Sequence, residues 1–160
     1  MIRMSTDDRP VAAVVLSAAA EVQLAFDELA VWAREQRGMS GVRPTCDLHR
    51  GNLNRALEVD WYLSVRHTRS TFDLEYCLEA THEDGEWLIR SAGCAAGHDP
   101  NGSERIYELP DRYAVTDREF VDELVGACRT LTDHRAKILD LFLTVYVQGF
   151  TKPGRPTRRA

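Results

Sequence analysis

Two short pairs of potential metal ligands lie in irregular stretches of the chain. One pair has Cys-x2-His spacing, the other has Cys-x3-His spacing, and their members are Cys46, His49, Cys94 and His98. Thiolate and imidazole are ligands that zinc prefers, and four of them can complete a tetrahedral site. However, neither pair has the Cys-x2-Cys spacing of a zinc knuckle, and a chance match is easy with four cysteines and five histidines. We therefore predict no cofactor and keep zinc at these four residues as the alternative.

Carboxylates are the second candidate group, because they occupy alternate positions in two neighbouring segments. A tyrosine stands among them, and the residues are Glu58, Asp60, Tyr62, Asp73, Glu75 and Glu79. Paired carboxylates can act as acid and base where a site encloses them, but on a solvated sheet face they form an acidic surface instead. An acidic surface favours a partner of basic character. We predict that these six residues bind such a partner.

Motifs of the common catalytic sites are absent from the sequence. It contains no Gly-x-Ser-x-Gly elbow, no phosphate-binding P-loop and no Gly-x-Gly-x-x-Gly fingerprint. Asp133 and His134 could be an acid–base pair, but adjacent residues on a helix point in different directions. The sequence therefore assigns no catalytic residue and favours a binding protein over an enzyme.

The carboxylates alternate with apolar residues in a pattern typical of β-strands. Apolar side chains recur at every second position over Leu57–Val65 and again over Phe72–Ala80, and a third strand follows up to Cys94. Successive side chains of a strand point to opposite faces, so each run buries one face and leaves the other outward. We expect Asp60 and Glu75 to face the solvent.

Turn chemistry predicts how these strands pair. Asp84-Gly85 suits a two-residue type I′ turn, which requires positive φ at both positions, and it fixes the register of the second hairpin. The first hairpin lacks such a signal. A four-residue loop at residues 67–70 would pair Trp61 with Tyr76.

Helices are predicted on both sides of the strands. Apolar residues at spacings of three and four over Val11–Trp32 predict a helix that ends at about Gln36. Thr116 and Glu119 have the spacing of a capping box and predict the start of another helix. The segment 133–147 fits either a further helix or a closing strand.

The remaining segments complete the predicted fold. Residues 37–56 contain many Gly, Pro and Asn residues, and they form either a functional loop or a short edge strand around Thr45–Leu48. A fourth strand is predicted over Glu104–Leu109. These elements indicate an α+β fold, a two-layer sandwich with an N-terminal helix, a four-stranded antiparallel meander and one or two C-terminal helices.

Charge is unevenly distributed along the chain. Residues 151–160 contain four basic residues and no acid, whereas residues 1–150 contain 16 basic and 25 acidic residues, a formal charge of −9. We predict one α+β domain over residues 1–150 and a basic, disordered tail over residues 151–160. Because the acidic part repels phosphate backbones, we predict no nucleic acid partner and a protein partner of basic character.

Composition also predicts the compartment. Four cysteines are too sparse for a disulfide scaffold in 160 residues, and no apolar run is long enough for a membrane helix, so we expect a soluble, cytoplasmic protein with no membrane partner. Only two of the twenty basic residues are Lys, which suggests a G+C-rich bacterial genome. Val11–Ala20 is similar to the apolar part of a secretory signal, but Asp7 and Asp8 precede it where positive charge is expected.

Two functions are compatible with these features. The first is a small acidic protein-binding module that docks a basic partner through the outer sheet face, a role that immunity proteins and small secretion chaperones fill at this size. The alternative is a ligand-binding or enzymatic domain with an apolar pocket between the sheet and a C-terminal helix. That pocket would be lined by Trp61, Tyr76, Trp87 and Phe120.

Overall fold

The chain folds as an α+β protein in which three helices cover one face of an antiparallel sheet. The computed structural model describes residues 8–50, 57–97 and 102–147. The elements in chain order are α1 Asp8–Arg34, β1 Met39–Arg50, β2 Leu57–His67, β3 Asp73–Glu83, β4 Glu86–Ala96, β5 Ser103–Glu108, β6 Arg112–Ala114, α2 Asp117–Asp133 and α3 Arg135–Tyr146. The predicted fold class is thereby confirmed.

The sheet is a meander with one divided edge. Strands β1 to β5 lie side by side in sequence order, and every pairing is antiparallel. The short β6 pairs with one half of β4, while β5 pairs with the other half. Sequential hairpins need only short connections, which is why the strand order follows the chain order.

The sheet has more strands than the four predicted. Residues 39–50, which include Gly41 and Pro44, form a full-length strand, β1, that pairs with β2 from end to end. The predicted short edge strand at Thr45–Leu48 is the central part of β1. The three residues of β6 are too few for a periodic signal. At the other end of the chain, the segment that fits helix or strand is helical, because Ile138, Leu139 and Phe142 are buried at helical spacing.

The second hairpin has the predicted register, but the first does not. Asp84 and Gly85 both have positive φ, as a type I′ turn requires, and Glu79 lies opposite Arg90. In the first hairpin Trp61 pairs with Leu78 instead of Tyr76, a shift of two residues. An even shift keeps every side chain on its predicted face.

The longer connection of the first hairpin explains this shift. It spans residues 68–72, and side chains stabilise it in a way that turn statistics do not signal. The backbone N–H of Arg69 donates to Nδ1 of His67 at 3.0 Å, and that of Phe72 donates to the hydroxyl of Ser70 at 3.1 Å. Such side-chain to backbone bonds fix a loop without positive φ.

The hydrophobic core fills the layer between the sheet and the helices. Trp87 on β4 stacks on Phe120 of α2 with ring centroids 3.9 Å apart. The hydroxyl of Tyr76 on β3 donates to the carbonyl oxygen of Arg135 at the start of α3, at 2.8 Å. These contacts join helices α2 and α3 to the centre of the sheet and leave its opposite face uncovered by any described helix.

Both predicted helix ends have their expected signals. Gly38 follows α1 with a φ of 85°, a conformation that glycine adopts without strain. Thr116 accepts a hydrogen bond from the N–H of Glu119, and the Glu119 carboxylate accepts from the N–H of Thr116, each at 3.2 Å. The capping box therefore positions the start of α2 directly after β6.

Candidate binding cleft on the outer sheet face

A cleft of about 670 Å³ lies on the sheet face opposite the helices, and we call it the outer cleft. It is lined by Arg43, Thr45, Asp47, Tyr62, Ser64, Asp73, Glu75, Ala96 and Gly97. Strand register explains this set, since Arg43, Ser64 and Glu75 form one row across β1, β2 and β3. The side chains of Ser64 and Ala96 are small, which leaves room between the larger ones around them.

The outer face also carries a row of three acids on adjacent strands. Asp60 on β2 lies opposite Asp47 on one side and Glu79 on the other, and Arg90 on β4 completes the row. Like charges that face each other across a ladder destabilise a sheet. The arrangement is therefore unfavourable for stability, and one of its three acids, Asp47, also lines the cleft.

Asp60 is the most buried of the predicted partner-binding residues. It is 3% exposed although it points to the outer face, so the expectation that it faces solvent is wrong. The hydroxyl of Tyr62 donates to its carboxylate at 3.1 Å. Burial and the Asp60 charge raise the pKa of Tyr62, so the hydroxyl remains a donor throughout the physiological range.

Glu75 is a half-buried acid in the wall of the outer cleft. Burial, together with the charge of Asp73, raises the pKa of Glu75 above its ordinary value. Asp73 itself forms an ion pair with the exposed Arg66 at 3.2 Å, beside the cleft. A cationic group placed next to Glu75 would stabilise its charged form, so the site is suited to guanidinium or ammonium groups.

The six predicted partner-binding residues all lie on one sheet face. Tyr62, Asp73 and Glu75 line the outer cleft itself. Asp60 and Glu79 belong to the acidic row, and Glu58 lies one row beyond them, opposite Thr81. Their role in binding a partner stays a prediction.

Three residues of β1 complete the cleft, and the sequence argument missed them. They are Arg43, Thr45 and Asp47. A signal was available, because these polar residues alternate with Val42, Pro44, Cys46 and Leu48. Gly41 and Pro44 obscured it, since both residues usually interrupt strands.

The four proposed zinc ligands do not form one site. Cys46 pairs with Trp61 on the helix-facing side of β1, whereas Cys94 pairs with Glu75 on the outer face of β4. The two cysteines are three strand spacings apart, about 14 Å, and they lie on opposite faces of the sheet. One tetrahedral ion cannot bind both thiolates, because its bonds to sulfur are about 2.3 Å long. His98 and the side chain of His49 lie outside the described residues, and within those residues no group of His, Cys, Asp and Glu is arranged to hold a metal ion.

Cys94 instead contacts a second thiol. The Cys77 thiol donates to the sulfur of Cys94 at 3.8 Å, and both residues are buried on the outer face. This hydrogen bond and burial raise the pKa of Cys77. The two cysteines are free thiols that pack as small apolar groups with Ala92 and Tyr62.

The four residues of the alternative pocket belong to the filled core. Trp61, Tyr76, Trp87 and Phe120 are each at most 1% exposed. None of them lines the outer cleft, the groove between α1 and α2, or the small cleft beside Cys77 and Cys94. The geometry therefore gives no support to a ligand site between the sheet and the C-terminal helices.

A second groove, of about 440 Å³, lies between α1 and α2. Its lining includes Val22, Leu24, Val125 and Cys128, with charged residues at its margins. Leu24 is 61% exposed there. The groove is smaller and more apolar than the outer cleft, and nothing in the described residues indicates what would cover it.

Comparisons with protein-family models, with curated proteins and with solved structures found no match to this chain. Within the described ranges, none of the helices combines the length and the apolar character that a bilayer-spanning segment requires. The function must therefore be argued from the site alone.

Proposed function

We propose that this protein is an acidic binding module that holds a basic segment of another protein in the outer cleft. The observation that carries the proposal is the cleft itself, a depression of about 670 Å³ whose lining includes three carboxylates and one arginine. Its occupant would present Arg or Lys side chains, as the partners of immunity proteins or of small chaperones do. This role rests on analogy and chemistry, not on a relative.

Carboxylates that are partly withdrawn from water bind cations more strongly than fully solvated ones. Glu75 is half-buried, and Asp60, which accepts a hydrogen bond from the Tyr62 hydroxyl, is almost fully buried. Coulomb attraction to a guanidinium grows as the local dielectric falls. The planar guanidinium of Arg can also bind a carboxylate through two hydrogen bonds and stack on the face of a tyrosine.

Composition supports the cytoplasm of a bacterium as the place of this function. Four cysteines in 160 residues are too few for a disulfide scaffold, and only two of the twenty basic residues are Lys, as in G+C-rich bacterial genomes. Reduced thiols are usual in a reducing compartment. We propose this location together with the binding role.

Binding of a labelled basic peptide tests the proposal. The probe is a fluorescein-labelled peptide of alternating Arg and Gly, and its acidic counterpart of equal length serves as the negative control. We expect fluorescence anisotropy to detect binding of the basic peptide at 50 mM salt and much weaker binding at 500 mM salt, because salt screens exposed charges. Binding of the acidic peptide with equal affinity would contradict the proposal.

A pair of matched variants locates the binding surface. In the cleft variant, Asp47→Asn and Glu75→Gln remove two charges from the lining. In the control variant, Glu83→Gln and Glu86→Gln remove two exposed charges from the same face at the far end of the β3–β4 hairpin. Two partly exposed carboxylates contribute roughly 0.5–1 kcal/mol each, so the cleft variant should bind about tenfold more weakly.

The control variant should lose less than threefold in affinity. An equal loss in both variants would mean that the peptide responds to net charge alone, and the cleft would then have no special role. The natural partner can be sought with the same three proteins as affinity baits in a bacterial extract. A protein that binds wild type and control but not the cleft variant, as identified by mass spectrometry, would be the partner that the proposal requires.

A further inference from the structure

We propose that residues 151–160 of this same chain occupy the outer cleft when no partner is bound, so that a partner must displace them. The inference rests on the proposed function, because both concern the same cleft. It adds a regulatory feature, namely competition between a tethered basic segment and the basic partner. Three observations support it: where the described chain ends, how far the remaining residues reach, and how charge is divided between the two parts.

The described chain ends on the helix-facing side of the sheet, at the strand ends that also form one rim of the cleft. α3 is followed by Val147, and the ring of Tyr146 packs on Phe72 with centroids 5.0 Å apart. Phe72 directly precedes Asp73 of the cleft lining, and a Cβ atom on Gly97, another lining residue, would lie 3.1 Å from the Phe72 ring. The last described residue, Val147, therefore lies near the strand ends that carry Asp73 and Gly97.

The following residues are long enough to cross the cleft. An extended chain advances about 3.3 Å per residue, so Lys152 can lie up to about 17 Å from Val147, and Arg159 up to about 40 Å. Asp47 lies at the far end of the cleft from Asp73. On β2, Asp47 pairs with Asp60 and Asp73 pairs with Arg66, so the two ends of the cleft are six residues apart along this strand. Six residues of a strand span about 20 Å, so the basic side chains can reach carboxylates along the whole lining.

Charge and tethering favour this occupant. Residues 151–160 carry four basic residues and no acid, while the rest of the chain has a formal charge of −9. Covalent attachment over a few residues gives an effective concentration of about 1 mM. If the free segment bound with a Kd of about 0.1 mM, the tethered segment would occupy the cleft about nine-tenths of the time. The apparent affinity of a competing ligand for the cleft would then be about tenfold lower.

Paramagnetic relaxation in the full-length chain tests the contact directly. Cys46 is the exposed one of the four cysteines, so Cys46→Ser combined with Ala160→Cys directs a nitroxide label to the end of the segment. At 50 mM salt we expect the label to broaden backbone amide signals of the cleft, for example those of Ser64 and Gly97. Signals of the groove between α1 and α2, such as that of Val125, should not broaden.

A charge-neutral segment provides the first control. Replacing Lys152, Arg155, Arg158 and Arg159 by Gln should abolish the broadening at the cleft. The matched control replaces four exposed arginines elsewhere, and these are Arg34, Arg37, Arg69 and Arg118. It has the same net charge and should keep the broadening. No broadening in the wild type, or equal broadening with the neutral segment, would overturn the inference, as would broadening centred on the groove between α1 and α2.

Competition separates this inference from the proposed function. The Arg-Gly probe should bind the neutral-segment variant about tenfold more tightly than the wild type or the matched control. Equal binding to all three, without broadening at the cleft, would overturn the tethered occupant and leave the proposed function standing. A different result would overturn the proposed function alone. In that case the wild type shows broadening at the cleft, but neither the wild type nor the neutral-segment variant binds the basic probe.

Discussion

Replacement of Glu75 by Gln should stabilise the folded protein while it weakens binding. The carboxylate is half-buried beside Asp73, and its raised pKa means that the folded state disfavours the charged form. Gln has nearly the same shape without the charge. Because Glu75 keeps some contact with water, which screens the penalty, we expect a gain in unfolding free energy of about 0.5 kcal/mol at pH 7.5. For a chain of this size that raises Tm by about 1–2 °C.

The pH dependence of this gain distinguishes charge from packing. A carboxyl group whose pKa is raised on folding lowers stability only where it is ionised, so the penalty is absent below the unfolded-state pKa of about 4.3. It grows as the pH rises and is complete above the folded-state pKa. Urea unfolding, followed by tryptophan fluorescence, should therefore give Glu75→Gln almost no advantage at pH 4.0 and its full advantage at pH 7.5.

The matched control for this measurement is Glu28→Gln, which removes an exposed charge from the middle of α1. Its effect on stability should be close to zero at both pH values, since surface substitutions rarely change stability much. If Glu75→Gln destabilises the protein at pH 7.5, then Glu75 is held by favourable contacts and the argument from burial fails. An equal gain at pH 4.0 and 7.5 would refute the charge explanation while leaving a packing effect.

Three further predictions concern the packing and the thiols. Gly93→Ala should destabilise the protein by about 1–3 kcal/mol, because the new Cβ would overlap the Ile138 side chain of α3. In the control Gly41→Ala the new Cβ meets nothing closer than 3.8 Å, so the loss should be much smaller. Urea unfolding measures the free energy of unfolding of both variants. Tyr76→Phe should cost about 1 kcal/mol in the same assay, because it removes the hydrogen bond that joins β3 to the start of α3. Ellman's reagent should modify one thiol of the folded protein, the exposed Cys46. The reaction should be slower than with free cysteine at pH 7, because partial burial and two nearby aspartates raise the pKa of Cys46. Fast modification of three thiols would contradict the buried positions of the other cysteines.

The sequence predicted those parts of the fold that depend on local rules. Alternation placed Trp61 and Tyr76 in the core, the Asp84-Gly85 turn set the register of one hairpin, and the capping box located α2. The predicted register of the first hairpin is wrong because the side chains of His67 and Ser70 stabilise its loop, and the rules for turn residues do not include such contacts. Since the error was an even number of residues, it did not move any side chain to the wrong face.

The cleft was only half predictable, because its depth depends on three strands at once. β2 and β3 were recognised, and with them the acidic residues that face outward. For residues 37–56 the breaker residues indicate either a functional loop or a short edge strand around Thr45–Leu48, so the sequence does not place Arg43, Thr45 and Asp47 in the site. Alternation says which face a residue takes, but the exposure of that residue depends on its neighbours across the sheet. Asp60 is 3% exposed for this reason, although its own strand predicts an outward position.

The outer face carries both favourable and unfavourable charge pairs across its strands. A solvated face gains stability when opposite charges face each other across a ladder, as Glu79 and Arg90 do. The row through Asp47, Asp60 and Glu79 instead sets three acids on adjacent strands, which lowers stability. In the proposed function, a cationic group of the partner would offset part of this repulsion. The same carboxylates should therefore oppose folding and favour binding, and a variant that became both less stable and weaker in binding would show that they are structural residues instead.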